Sequence, residues 1–167
     1  MTNNRAFKDK TLLLEAGNYY QLKITGIIDI PGCEAWFIGK DDNGLRHLIP
    51  VSFYAGYGIK PESSIECRLD KINCQGRFFF EPRHPFYSEG RSYSFDLIEI
   101  ERCTISGEKF TARVKDMLGK ELVTQCFSAD EPLSGNLERI KCRVERIKKA
   151  TPFLKVTDNR LLDPTAG

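Results

Sequence analysis

Two segments of this chain repeat each other at an offset of 75 residues (140 − 65). Residues 65–72 read Ile-Glu-Cys-Arg-Leu-Asp-Lys-Ile and residues 140–147 read Ile-Lys-Cys-Arg-Val-Glu-Arg-Ile, so seven of the eight positions are identical or conservative. At the same offset, Gly44 falls on Gly119. Because a chain of 167 residues has room for two small domains, the repeat predicts two copies of one fold.

Each copy has the residue pattern of β-strands. In the first copy Tyr20, Leu22 and Ile24 alternate with polar residues, and Gly26 follows as a bend in a long first strand. Five short strands are expected per copy, which predicts an all-β chain of two tandem five-stranded OB-type β-barrels. We expect strands near 20–30, 35–39, 45–51, 65–70 and 77–80, and again near 93–100, 110–115, 121–126, 140–147 and 153–156.

Turn residues divide the chain. Asn43-Gly44 and Gln75-Gly76 predict hairpin turns, and residues 52–58 predict a connector with one helical turn. The predicted domains are a flexible N-terminus at 1–10, a first OB domain at 11–82, a short joint at 83–91 and a second OB domain at 92–163.

Two motifs of the first copy are similar to those of a known family. Residues 44–49, Gly-Leu-Arg-His-Leu-Ile, resemble the Gly-Leu-Val-His-Ile-Ser segment of the RNA-binding OB domain of the ribosomal-protein S-one type. Residues 73–77, Asn-Cys-Gln-Gly-Arg, resemble that family's Asp-x-x-Gly-Arg turn, and residues 34–37 loosely echo its Phe-Gly-Ala-Phe stretch. The second copy departs from the pattern, with Leu122 at the histidine position and Thr151-Pro152 at the turn, and resembles a degenerate member.

The resemblance implies that single-stranded RNA binds across the barrel face. By that resemblance Trp36 or Phe37 would stack on a base, and His47 would add stacking or a polar contact. Asn73 and Arg77 would reach a base edge or a phosphate.

The residues themselves add further candidates. If Phe78 and Phe80 point inward, alternation places Phe79 outward beside Arg77, where an aromatic ring and a cation suit nucleic acid. Each candidate also has a plain structural interpretation, since Phe79 could pack against the second barrel or the joint, Trp36 could lie in the core and His47 could be a solvated strand residue.

The second copy concentrates positive charge. Six cations lie within residues 139–149, against Glu145 alone, and Lys141 and Arg143 share the outer face of the predicted strand. Such a surface could follow a phosphate backbone, or it could be a solvated face that prevents edge pairing.

Several other classes find little support. We find no glycine-rich phosphate loop, no nucleophile elbow and no metal-ligand spacing, so we expect neither an enzyme nor a bound metal or cofactor. No run approaches the roughly 20 apolar residues of a membrane span, and the polar N-terminus shows no export signal. We therefore expect a cytoplasmic protein whose six cysteines are reduced and mostly buried.

Two functions remain open. The first is a non-catalytic module that binds single-stranded RNA or DNA, with RNA preferred, and the second is an adaptor for protein partners. OB barrels serve both purposes, and a net charge of +2 does not decide between them. The feature that discriminates between them is whether Trp36, His47, Arg77 and Phe79 gather on one open surface, since burial or scatter of these residues would favour the adaptor. The sequence leaves the oligomeric state open.

Overall fold

The computed structural model describes residues 14–103, 109–128 and 138–157. The chain divides into two compact units, and the boundary falls between Arg83 and His84. The predicted flexible segment at 1–10 lies outside the described residues, as do the outer edges of the two predicted domains at 11–13 and 158–163.

The first unit is a five-stranded antiparallel sheet whose strands follow the order β3-β2-β1-β4-β5. In this order the first strand is central, as the OB plan requires. The strands are β1 (Tyr19–Ile28), β2 (Trp36–Lys40), β3 (Arg46–Pro50), β4 (Ser64–Ile72) and β5 (Phe78–Pro82).

The long strand β1 serves both sides of the sheet. Its first half, from Tyr19 to Lys23, pairs with β4, and its second half, from Lys23 to Ile28, pairs with β2. The β1–β2 ladder shifts register between Ile24 and Gly26. A bulge of this kind increases the local twist and bends the strand, so the sheet can curl on itself next to the predicted glycine bend.

The core of the first barrel follows the predicted alternation. Leu22 and Ile24 of β1 and Cys67 and Leu69 of β4 are all fully buried, while their neighbours along each strand are more exposed. Burying one aliphatic side chain contributes roughly 1.5–3 kcal/mol, so this inward face favours the curled sheet.

The connector between β3 and β4 is helical, as predicted. It consists of α1 (Val51–Tyr54) and a 3₁₀ turn (Ala55–Tyr57), and Gly58 ends it in the left-handed region at φ +68°. The buried ring of Tyr54 packs edge-on against Tyr57, with ring centroids 5.3 Å apart. Among the helices of the described ranges, none has the length and apolar character needed to cross a membrane.

The second unit repeats this plan, with the strand order β10-β9-β6-β7-β8. A parallel bridge between Thr124 and Leu154 joins the chain just after the third strand to the fifth. Phe95, Val114 and Val144 are among the buried residues of its core. The predicted all-β fold of two tandem five-stranded OB-type barrels is confirmed. The strands are β6 (Ser92–Arg102), β7 (Phe110–Lys115), β8 (Glu121–Val123), β9 (Arg139–Lys148) and β10 (Thr151–Val156).

The repeat extends to single backbone hydrogen bonds. The N–H of Gly17 donates to the carbonyl of Leu69 at 2.7 Å, and the N–H of Gly90 donates to the carbonyl of Val144 at 2.7 Å. Both glycines precede the first strand of their barrel and have positive φ. The same backbone arrangement therefore precedes the first strand of each copy.

The last turn of the second barrel lies elsewhere than predicted. Lys148 pairs with Thr151, so the turn is Lys149-Ala150, and Thr151 and Pro152 belong to β10. The constant offset placed it wrongly because the second copy has one residue fewer at this turn: Ile72 pairs with Phe78, whereas Ile147 pairs with Pro152. The third strand of this copy is also shorter than predicted, since it ends at Val123.

The cysteines differ from one another. Cys103 and Cys126 form a disulfide, so the expectation of six reduced thiols is wrong for this pair. Cys33 and Cys74 are exposed, whereas Cys67 and Cys142 are buried. Burial raises the pKa of the Cys142 thiol to about 12 and raises that of Cys67 as well, so both stay protonated and unreactive at neutral pH.

Candidate nucleic-acid interface

The turn between β4 and β5 is built around Asn73. Its side-chain carbonyl oxygen accepts the backbone N–H of Gln75 at 3.0 Å and that of Arg77 at 2.8 Å. Its own N–H donates to the carbonyl of Arg77 at 3.0 Å, and Gly76 takes a positive φ of 75°. The oxygen of Asn73 is therefore engaged within the turn, and its role there is to position Arg77.

The exposed guanidinium of Arg77 lies beside two aromatic rings. Its central carbon is 5.9 Å from the ring centroid of Trp36 and 5.4 Å from that of Phe79. The ammonium of Lys71 also lies near Phe79, 5.0 Å from its ring centroid. We call Trp36, Lys71, Arg77 and Phe79 the first-barrel cluster; each distance is within the range of a cation–π contact.

Three parts of the fold bring this cluster together. Trp36 is the first residue of β2, directly after the β1–β2 loop, and Arg77 directly precedes β5 at the end of the β4–β5 turn. Phe79 lies opposite Lys71 across the β4–β5 ladder. The β1–β2 and β4–β5 loops are those with which OB barrels bind oligonucleotides and oligosaccharides.

The predicted alternation on β5 is correct. Phe78 and Phe80 both contact the ring of His47, while Phe79 contacts Arg77 and Lys71 instead. Of the residues proposed from the sequence, the structure thus brings Trp36, Arg77 and Phe79 together.

Phe37 and His47 do not belong to this surface. Phe37 is 3% exposed and His47 is 6% exposed, so neither ring is accessible to a base. Phe37 lies in the barrel core, and the expectation that either ring would stack on RNA is corrected. The alternation along β3 indicates that His47 points inward, because His47 is in phase with the buried Ile49.

His47 has a buried acidic partner. Its Nε2 lies 2.9 Å from Oδ2 of Asp41, and only 5% and 4% of the two side chains are exposed. The other carboxylate oxygen of Asp41 accepts the backbone N–H of Leu45 at 2.9 Å. The ring packs on Phe78 and Phe80 with centroids 5.6 and 4.7 Å away, so the pair links β3 to β5.

Lys141 and Arg143 lie on β9 in the second unit. Both are exposed, and they alternate with the buried Ile140, Cys142 and Val144 as predicted. The Nε atom of Arg143 is 3.6 Å from a carboxylate oxygen of Glu145, a solvent-exposed pair of the kind that adds little stability. Both cations therefore remain accessible to an anionic ligand.

Lys71 is the functional candidate that the sequence reasoning missed. Its position opposite Phe79 depends on a register shift between Leu69 and Lys71, which the alternation of a single strand does not reveal. The alternation of a single strand does not reveal the bulge in the β9–β10 ladder of the second copy either.

Comparisons with known proteins add no assignment. The sequence matches no protein-family model, and a search of curated proteins returns no significant match.

Proposed function

We propose that the chain is a non-catalytic binding module for single-stranded nucleic acid, RNA preferred, and that the first-barrel cluster takes the strand. One observation supports this above all: Arg77 lies against both Trp36 and Phe79 at the loop edge where OB barrels take their ligands. A cytoplasmic location, as expected from the sequence, belongs to the same proposal.

The chemistry of the cluster matches that of an unpaired strand. An aromatic side chain stacks on any base and contributes about 1–3 kcal/mol per base, so Trp36 and Phe79 together suit weak binding with little sequence preference. Lys71 and Arg77 would neutralise phosphates, and each neutralised phosphate changes the salt slope by about 0.7 for single strands. We expect micromolar affinity that falls as the salt concentration rises.

The preference for RNA rests on the family resemblance. Residues 44–49 and 73–77 keep the order of the family's motifs, and residues 73–77 form the turn that presents Arg77. The histidine of the first motif is buried against Asp41, so in this chain it would support the ligand surface from beneath.

A specific observation favours the adaptor as a second candidate. Leu48 is 40% exposed on β3 and lies opposite the partly buried Ile38 on β2, so this ladder turns apolar side chains outward. An apolar outer face suits a protein partner better than a phosphate backbone.

Titration of labelled oligo-U and oligo-dT at two salt concentrations tests the proposal. The full chain should bind at low salt, more weakly at high salt, and more tightly to oligo-U. Trp36→Ala and Arg77→Ala should each lower the affinity about tenfold, an effect of about 1.4 kcal/mol. Lys60→Ala, which removes an exposed cation in the connector before β4, is the matched control and should change the affinity little.

Absence of binding at low salt would reject the nucleic-acid function and favour the adaptor. Binding that survives both cluster substitutions would show that the strand lies elsewhere on the protein.

A further inference from the structure

The second barrel has an aromatic ring and a cation in contact on its outer face. The guanidinium carbon of Arg146 on β9 lies 4.3 Å from the ring centroid of Phe153 on β10. Phe153 is 37% exposed although the flanking Pro152 and Leu154 are buried. The ring therefore lies on the outer surface rather than in the core.

This pair occupies the position of Lys71 and Phe79 in the first barrel. In the β4–β5 ladder the register shifts after Leu69–Phe80, and the next pair is Lys71–Phe79. The second barrel has the same irregularity.

In the β9–β10 ladder the register shifts after Val144–Leu154, and the next pair is Arg146–Phe153. Both copies therefore place an outward phenylalanine under a cation one step beyond an equivalent bulge. The arrangement survives although the Gly-Arg turn and the tryptophan do not.

Like charges face each other beside this pair. Arg143 and Lys155 are both exposed and are direct cross-strand neighbours in the β9–β10 ladder. Two cations at such positions repel, and Glu145, with a carboxylate oxygen 3.6 Å from Nε of Arg143, offsets this only in part because the ion pair is solvent-exposed. A phosphate backbone along the strands would remove that repulsion, so the charges are complementary to a polyanion.

Away from β9 and β10 in the strand order, β6 and β8 carry acidic side chains. Arg113 on β7 forms ion pairs with Glu99 on β6 and with Glu121 on β8. Glu101 lies further along β6, and its pKa is raised because it shares a hydrogen bond with Glu99. The acidic side chains of β6 and β8 disfavour a phosphate there, so β9 and β10 are the more suitable surface.

We infer that the second barrel contacts the strand independently, with Phe153 stacking on a base while Arg143, Arg146 and Lys155 neutralise phosphates. This inference rests on the proposed function and extends it to a surface that the sequence pattern marked as degenerate. The ligand class is single-stranded nucleic acid, because an aromatic ring would be unnecessary for an acidic polypeptide held by charge alone.

The test uses the full chain and a labelled oligo-U strand. Phe153→Leu keeps an apolar side chain of similar size and should weaken binding about tenfold. The double substitution Arg143→Gln and Lys155→Gln should make the negative slope of log affinity against log salt shallower by about 1.4, which is two phosphates at about 0.7 each. Lys115→Gln, an exposed cation on β7, is the matched control and should leave the slope unchanged.

An abasic strand of equal length separates stacking from charge. Phe153→Leu should leave the affinity for the abasic strand unchanged, whereas the double substitution should still lower its salt slope. Equal weakening for both strands would overturn the stacking role of Phe153.

The outcomes distinguish this inference from the proposed function. If the unmodified chain binds no oligo-U, both fail. If Trp36→Ala and Arg77→Ala weaken binding while Phe153→Leu and the double substitution do not, only the second-barrel contact is overturned. Should Phe153→Leu fail to fold, Arg146→Gln tests the same surface through its charge: it should reduce the salt dependence by about one phosphate, a slope change of about 0.7, and an unchanged slope would overturn the contact.

Discussion

The two barrels use one scaffold and present different outer faces. At corresponding ladder positions, Ile38 of the first barrel lies opposite Gly26, whereas Arg113 of the second lies opposite Glu99. Inward positions change far less, since Cys67 and Cys142 are both fully buried on the fourth strand. Packing constrains the inward residues and leaves the outward residues free to diverge, so a copy can lose one ligand face and keep another.

A second contrast lies in the buried acids. Asp41 of the first barrel and Asp116 of the second are both 7% exposed and both accept backbone N–H groups of the following turn. Asp41 has His47 as its partner, but Leu122 occupies the corresponding position in the second barrel, where Oδ2 of Asp116 is buried without a hydrogen bond.

The largest effect is expected from making the first barrel resemble the second at this position. His47→Leu would leave the Asp41 carboxylate buried without its partner, which should cost about 4 kcal/mol of unfolding free energy. Trp36 is the only tryptophan of the chain and lies in the first barrel, so its fluorescence during urea unfolding reports on that barrel. The double variant His47→Leu and Asp41→Asn should recover part of the loss; a loss below 1 kcal/mol for His47→Leu would contradict a structural role of the pair.

The disulfide of the second barrel is expected to contribute nearly as much to the free energy of unfolding. It closes a loop with a sequence separation of 23 in the second barrel, and cross-links of this span contribute about 3 kcal/mol. Cys126→Ser should therefore destabilise the second barrel by about that amount, as followed by urea titration of its amide NMR signals. Cys33→Ser, at an exposed free thiol, is the control; equal stability of both variants would show that the bond adds nothing.

The stability of the second barrel should depend on pH through the buried His84. Its Nδ1 accepts the N–H groups of Phe86 and Tyr87, both at 3.2 Å, so a proton on Nδ1 would break both bonds. Burial, offset in part by nearby Asp116, lowers its pKa from 6.5 to about 4. Because the folded pKa lies below the unfolded value, stability is unchanged above about pH 6.5, falls as the pH drops towards about 4, and changes no further below that.

We expect this loss to be about 2.5 kcal/mol for the second barrel between pH 7 and pH 4.5. Comparison of the native chain with His84→Gln at pH 7 and pH 4.5, by the same NMR titration, isolates the histidine from the carboxylates that also titrate. A difference between the two proteins that does not change with pH would show that His84 is protonated freely in the folded state.

The sequence predicted the parts of this molecule that depend on local spacing. Period two placed Phe79 outward, and the repeat gave the strands and their core residues. His47 is buried because it shares the inward phase of Ile49 on β3, and the family motif carries no information about that phase. Three features could not be predicted, since they depend on a register shift, a turn shortened by one residue and a long-range contact, respectively: Lys71, the Lys149-Ala150 turn and the Cys103–Cys126 bond.

The smallest expected effect concerns the last turn of each barrel. The first barrel turns through Gly76, whereas the second uses Lys149 and Ala150, at φ +47° and +61°. A residue with a Cβ atom in this left-handed region costs roughly 1–2 kcal/mol relative to its usual conformation, and glycine avoids most of that cost. Lys149→Gly should therefore stabilise the second barrel by about 1 kcal/mol, as measured by the same urea titration. Lys155→Gly, at an exposed position inside β10, should instead destabilise it, and a stabilising effect of both would mean that flexibility rather than backbone strain decides the outcome.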